Sequence, residues 1–547
     1  MNIFYKQIKQ AILIVASLML LTTSFEVAAE EDAFTSAVSK LSAKKFKEKE
    51  LAVDGLMKIT DERILSTLQA LLKGKLYYKK SNKQIVYLKK HDDEYVATSV
   101  ITNEKLAETN KRKFKKIRVN NKLRGKLRGY IAQLSLENKN PKIRLSAMKE
   151  MMSSVTEESL LDIQQRLKNE KNSDVLEIIQ IFEALVAIDK SDKSVRLSAI
   201  KTLGASLEPN ARIKIVSLLE KDESDNYIES DSDIVYAALK AKKIIDERRD
   251  VFAFFEKVFF GLSLGSVLLL AAIGLAITFG VMGVINMAHG ELIMIGAYTT
   301  YVVQLLMPNH IGLSLLVAVP AAFIVSGLFG IAIERTVIRH LYGRPLETLL
   351  ATFGISLVLQ QLVRSVFSPL NRSVETPEWM SGALEINPVF FITYNRLTIV
   401  FFSLFVFAAL LLILKKTSLG LKVRAVSQNR TMARAMGIRS EWVDALTFGL
   451  GSGIAGIAGV ALSQLTNVGP NLGQAYIIDS FLVVVFGGVG NLWGTLVGAM
   501  SLGLFNKFIE PVTGAVLAKI FVLVFIILFI QKKPRGLFPQ KGRSAEN

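Results

Sequence analysis

Cysteine is absent from all 547 residues and histidine occurs only four times. The first absence excludes disulfides and thiolate chemistry, and the four histidines show no metal-ligand spacing, so structural zinc is excluded and no cofactor is implied. No G-x-x-x-x-G-K-[ST] stretch occurs, so the chain lacks a phosphate-binding loop of its own. Acidic residues are the scarcer charge, 48 against 67 lysines and arginines, a net +19. The basic residues do not form one patch interleaved with aromatics, which argues against a nucleic-acid partner.

What is abundant is apolar: 50% of the chain is hydrophobic. From about residue 256 onward the apolar residues gather into runs near the length that crosses a hydrocarbon core as a helix. They fall at roughly 261–280, 290–307, 311–333, 348–367, 396–414, 442–465, 478–491, 494–509 and 514–531. Nine crossings are expected, with seven plus re-entrant segments as the alternative. The short run 478–491 and its successor suggest a broken or re-entrant pair, which lipid tolerates only where protein or a cavity surrounds the backbone.

Ahead of these runs the chain is polar. Lys6 and Lys9 precede an apolar stretch from Ala11 to Leu21, and Val27 and Ala29 supply small residues for cleavage. Residues 1–29 therefore read as a signal peptide, which would leave 30–250 outside the cytoplasm as a domain preceding the 251–547 membrane domain. Residues 76–100 alternate aromatic and β-branched runs with polar turns, which predicts a small β-hairpin. Beyond it Ile143-Arg144-Leu145-Ser146-Ala147-Met148-Lys149 returns as Val195-Arg196-Leu197-Ser198-Ala199-Ile200-Lys201. That echo predicts a mainly helical, HEAT-like array, although the spacing is longer than such helix pairs usually show.

Loop charge sets the orientation. Lys415, Lys416, Lys422, Arg424, Arg430, Arg434 and Arg439 share one loop with no acidic residue, and Lys532, Lys533, Arg535, Lys541 and Arg543 crowd the tail. Both are expected inside, whereas 368–395, with Glu375, Glu378 and Glu385 against Arg372, is expected outside. Within the basic loop, 417–438 predicts one short helix capped by Thr417 or Ser418 and ended by Gly437, with Leu421, Ala425, Met432 and Met436 as its apolar stripe.

This segment resembles the cytoplasmic coupling region of permeases in the branched-chain amino acid and urea ABC transporter family. GVMGVINMAHGE (280–291), ERTVIRHLYGRPLETLLATFGISLVLQ (334–360), VVVFGGVGNLWGTLVGAMSLGL (483–504) and FVLVFIILFIQKKPRGLFP (521–539) resemble that family's motifs in the same order. The resemblance implies an all-α polytopic importer permease in a bacterial inner membrane, not itself an enzyme. Its implied partners are a second permease subunit, two cytoplasmic ATPases, an extracytoplasmic solute-binding protein and membrane lipid. Leu421, Lys422, Arg424, Ala425, Asn429, Arg430, Ala433, Met436 and Gly437 would form the ATPase-coupling helix.

Polar residues near the spans are candidates for the solute path, because such groups at membrane depth are costly and usually face a cavity or partner. Asn286, His289 and Glu291 form one set; Gln464, Asn467 and Asp479 form another. The competing reading of the first set is that His289 and Glu291 cap helix ends and pair with each other. Glycines 487, 488, 490, 494 and 498 read as close helix packing or a backbone break. For the solute, the long N-terminal extension resembles the urea branch, so urea is the first reading and branched-chain amino acids the second. A membrane-anchored interaction scaffold and a self-contained carrier are the readings from other classes.

Overall fold

The computed structural model describes residues 33–539 apart from 92, 93, 110 and 154. The signal-peptide reading of 1–29, and Lys541 and Arg543, lie outside the described residues. The chain divides into two compact units between Glu247 and Arg248.

In the first unit, residues 33–40 (α1), Phe46–Leu56 (α2) and Arg63–Leu72 (α3) precede a sheet. Its strands are β1 (Leu76–Lys79), β2 (Ile85–His91), β3 (Glu94–Ser99), β4 (Lys105–Thr109) and β5 (Phe114–Lys116). They pair antiparallel in the order β4-β3-β2-β1-β5. The expected hairpin is thus the middle of a five-stranded sheet. β4 and β5 escape sequence reading because KLAET and FKK are too short and too polar to carry a period-2 apolar signal.

Then come α4 (Asn121–Ser135), α5 (Pro141–Met151), α6 (Glu157–Arg166), α7 (Ser173–Ala187), α8 (Lys193–Ala205) and α9 (Pro209–Ser217). Helices α4, α5 and α6 recur as α7, α8 and α9, each starting 52 residues later. The repeat therefore holds three helices rather than two, which explains its length. The caps recur as well: Asn120 and Asn172, then Asn140 and Asp192, each accept a backbone N–H of the helix that follows.

The echoed arginines do equivalent work. Arg144 forks onto Glu170 with bonds of 2.6 and 2.8 Å, and Glu170 in turn accepts the N–H of Asn172 at 2.9 Å. Arg196 pairs with Glu229, which accepts the N–H of Asp231 at 3.2 Å. After Asp231 begins α10 (Ser232–Met282), so its first turns are a third copy of the repeat's opening helix. Ile234, Ala238, Ala241 and Ile245 pack into the same core as Ile178, Phe182 and Ile200.

The second unit contains the later, apolar part of α10, then α11 (His289–Leu306), α12 (Ile311–Thr336), α13 (Pro345–Phe367), α14 (Tyr394–Lys416), α15 (Ser418–Gln428), α16 (Arg430–Ala435), α17 (Ser440–Ser463), α18 (Leu472–Gly487), α19 (Leu492–Thr513) and α20 (Ala515–Lys532). Seven of these, α10, α12, α13, α14, α17, α19 and α20, are long and apolar enough to cross a membrane. The sequence runs 290–307 and 478–491 fall on α11 and α18, which do not reach that measure. α11 carries His289, Glu291 and Gln304, and α18 has only 16 residues. The suspected broken pair is also half corrected, because α19 is an uninterrupted helix of 22 residues.

α17 is the central helix, and glycine makes its packing possible. A Cβ on Gly296 of α11 would lie 2.1 Å from the carbonyl oxygen of Gly456, and one on Gly456 would lie 2.5 Å from that of Ala322 on α12. No side chain fits at either crossing, so the backbones approach as small residues allow in lipid. The late glycines follow the same logic: a Cβ on Gly487 would lie 2.3 Å from the carbonyl oxygen of Gly494, while Gly488 and Gly490 have φ of +102° and +80° and break the chain between α18 and α19.

Candidate functional site

α10 ends at Met282, and Gly283, at φ +68°, turns the chain back. Residues 283–288 are non-helical, yet Val284, Asn286 and Ala288 are buried. Backbone of this kind inside a membrane protein needs internal partners. Thr352 of α13 supplies one, its Oγ accepting the N–H of Met287 at 3.1 Å, while Asn286 Oδ1 accepts the N–H of Ala288 at 3.0 Å.

The start of α11 is thereby set halfway along its neighbours. His289 Nε2 donates to the carbonyl oxygen of Ala271 at 2.8 Å, and Ala271 stands about 16 Å up α10 from Met282 at 1.5 Å per residue. Glu291 Oε1 accepts from Gln360 Nε2 at 2.7 Å and from Ser356 Oγ at 2.9 Å, and Gln360 stands about 22 Å along α13. Against a hydrocarbon core of about 30 Å, these helices carry the N-terminus of α11 deep into the layer.

His289 and Glu291 do not pair with each other. The ring turns to α10 and the carboxylate to α13, because positions two apart point away from one another on a helix. Among the described residues, Asn286 Nδ2, His289 Nδ1 and Glu291 Oε2 are buried without a hydrogen-bond partner. Three orphaned polar atoms across the bend and the first turn of α11 are unusual, since buried polar groups are nearly always satisfied.

The facing side of α13 is what sequence reading missed. Thr348, Thr352, Ser356, Gln360 and Arg364 recur every fourth residue, and the first four are buried. That spacing winds a polar row slowly around an otherwise apolar helix, a signal that was available in the sequence. At its C-terminal end Arg364 donates to Asn471 Oδ1 at 2.8 Å, just before α18.

The second candidate set is not brought to this bend. Gln464 is buried at the end of α17, where its carbonyl oxygen accepts from Asn395 Nδ2 at 2.6 Å. Asn467 is exposed, and Asp479 is ion-paired with Lys519 of α20 at 3.2 Å.

The basic segment differs from one capped helix. Thr417 caps α15, but Asn429 leaves the helical conformation and caps α16, accepting the N–H of Met432 at 2.9 Å, and Gly437 ends the pair at φ +84°. The buried stripe is Val423, Val426 and Ala433 against Val443, with Ala425 packed beside it, whereas Leu421, Met432 and Met436 point outward. Lys422, Arg424 and Asn429 are exposed as well. Arg430 instead pairs with Asp444 of α17 and lies 4.4 Å over the ring of Tyr342, whose hydroxyl donates to Glu334 of α12 at 3.3 Å. Arg434 Nε donates to Ser440 Oγ at 2.7 Å. The two short helices are thus tied to the ends of α12 and α17.

The profile of a protein family described as "branched-chain amino acid transport system / permease component" matches residues 257–530. The high-affinity branched-chain amino acid transport system permease protein BraD of Pseudomonas aeruginosa is 30% identical over 297 residues, 53% of this chain and 96% of the relative. LivH of Salmonella typhimurium, of the same description, is 31% identical over 295 residues, 52% and 95% of the two chains. The ribose import permease protein RbsC of Haemophilus influenzae is 30% identical over 109 residues, 19% and 34%. No solved structure matches.

Proposed function

The chain belongs to the family of permease components of branched-chain amino acid transport systems, and from that premise we propose that it forms the membrane path by which an ATP-driven importer takes up branched-chain amino acids. It is a multi-pass membrane protein and a transporter subunit rather than an enzyme. The observation that carries the reading of the path is the bend 283–288 with the first turn of α11, which hydrogen-bonds to the polar row of α13 and leaves polar atoms of Asn286, His289 and Glu291 buried without partners. Asn286 and Glu291 are its solute-facing members, and Ser356 and Gln360, hydrogen-bonded to Glu291, their neighbours on α13. His289 braces the bend against α10, and Gln464, Asn467 and Asp479 act elsewhere.

Urea, the first reading of the sequence, rests on the N-terminal extension alone. The relatives named above are amino acid and ribose permeases, so branched-chain amino acids take its place. With α11 and α18 completing crossings beside the seven long helices, the basic loop holding α15 and α16 faces the cytoplasm with Lys532, Lys533 and Arg535, and residues 30–250 lie on the other side. Leu421, Met432 and Met436 offer an apolar docking face to a separate ATPase, and Arg430 transmits its movement to α17. A second permease subunit, paired ATPases and a solute-binding protein complete the machine.

Uptake of labelled leucine and labelled urea in cells lacking this chain, with and without the gene restored, tests the reading. Leucine uptake that returns with the gene is expected. Return of urea uptake alone would replace it.

A further inference from the structure

Glu291 is a carboxylate with half of its hydrogen-bonding capacity unused. Oε1 takes the amide of Gln360 and the hydroxyl of Ser356. Oε2 is buried and, among the described residues, has no hydrogen-bond partner. No basic side chain of the described chain forms an ion pair with it. The arginine on its facing row, Arg364, gives its hydrogen bond to Asn471. Arg364 acts on Glu291 only through charge at a distance, without a hydrogen bond; a buried carboxylate with no cation in direct contact is poorly compensated, and a cation arriving in a ligand would correct this.

The surroundings of Glu291 also choose the rest of the ligand. One and two turns further along the same face of α11 stand Met294 and Tyr298, both buried. They form a separate apolar cluster with Val363 and Phe367 of α13 and with Val468. Tyr298 and Phe367 have their ring centres 4.8 Å apart. An acceptor for a cation thus adjoins an apolar cluster suited to an aliphatic chain.

We propose that Glu291 Oε2 receives the α-ammonium group of a branched aliphatic amino acid, whose side chain lies against Met294, Tyr298 and Phe367. This rests on the amino acid reading of the preceding subsection and deepens it. Urea has neither a positive charge for the carboxylate nor an alkyl group for the cluster.

The test is the thermal stability of the purified full-length chain with three probes at millimolar concentration. Leucine carries ammonium, carboxylate and alkyl group; 3-methylbutylamine lacks the carboxylate; 4-methyl-2-oxopentanoate lacks the ammonium. Leucine and the amine are expected to raise the melting temperature and the keto acid to leave it unchanged, with E291Q abolishing both shifts. Equal protection by the keto acid, an unchanged response of E291Q, or no response of the native chain to leucine would each overturn the proposal. Should E291Q fail to accumulate, the three probes on the native chain still decide.

Uptake separates this proposal from the function beneath it. In cells, E291Q is expected to lower leucine uptake about 10-fold or more, the worth of one charge-assisted hydrogen bond. Uptake by E291Q equal to that of the native chain overturns the ammonium site and leaves the transporter reading standing. No leucine uptake by the native chain overturns the reading itself.

Discussion

Glu170 shows how much one side chain can organise. It receives both arms of Arg144 and two backbone N–H groups, and the Arg144 hydrogen bond is the main cause that holds its carboxyl at about 2. Because the folded value is depressed, its stabilisation is complete above the unfolded value of about 4.3 and is lost as pH falls from there toward the folded one. The protection of amides across 138–173 against hydrogen exchange, relative to the intrinsic rate at each pH, is therefore expected to fall between those values in the native chain. In E170Q that protection should already be low at neutral pH and change little on acidification. At the other kind of critical residue nothing is offered but the lack of a side chain. G296A places a methyl group against the Gly456 carbonyl, and a melting temperature lowered by the equivalent of about 1–3 kcal/mol is expected for such overpacking.

Among the elements, the bend 283–288 depends on a helix far away in sequence. T352V removes the acceptor for the Met287 N–H; an unsatisfied buried donor costs about 1–3 kcal/mol, readable as a lower melting temperature. A change to serine should restore most of it. At the basic end, R430A leaves Asp444 buried beside Glu334 with its main counter-charge gone. Loss of one partner from such a pair costs about 3 kcal/mol or more. The double variant R430A/D444N should melt higher than R430A alone, which would assign the loss to the stranded carboxylate.

These elements were legible in the sequence to unequal degrees. The long spans announce themselves by run length, and the caps Thr417 and Gly437 by residue type. The break at Asn429 was hidden because a residue can cap one helix while continuing the line of another. Asn286 and Glu291 were visible as polar residues at membrane depth. Their partners on α13 were not recognised, since each is unremarkable alone and only the fourfold spacing betrays them. The edge strands β4 and β5 carry too few apolar residues for any local signal.

For the whole molecule, the family match begins at residue 257 and leaves the first unit without a counterpart in it. The permease reading thus rests on the second unit. If the proposed ATPase drives the path, replacing the phosphate-loop lysine of that partner is expected to stop leucine uptake. Continued uptake would mark a self-contained carrier.

The three-helix repeat has a consequence for how such a chain can change. Its helices, the caps of the first two and the arginines of its Arg–Glu pairs return after 52 residues, and the opening of α10 supplies the next copy's first helix. A splice that removes or adds one full period therefore rejoins equivalent backbone positions, with each neighbour meeting the kind of surface it met before. The length of the first unit is in this sense quantised: it can shrink or grow by whole repeats, while any fractional insertion must be absorbed in a loop, as the seven extra residues between α9 and Glu229 already are.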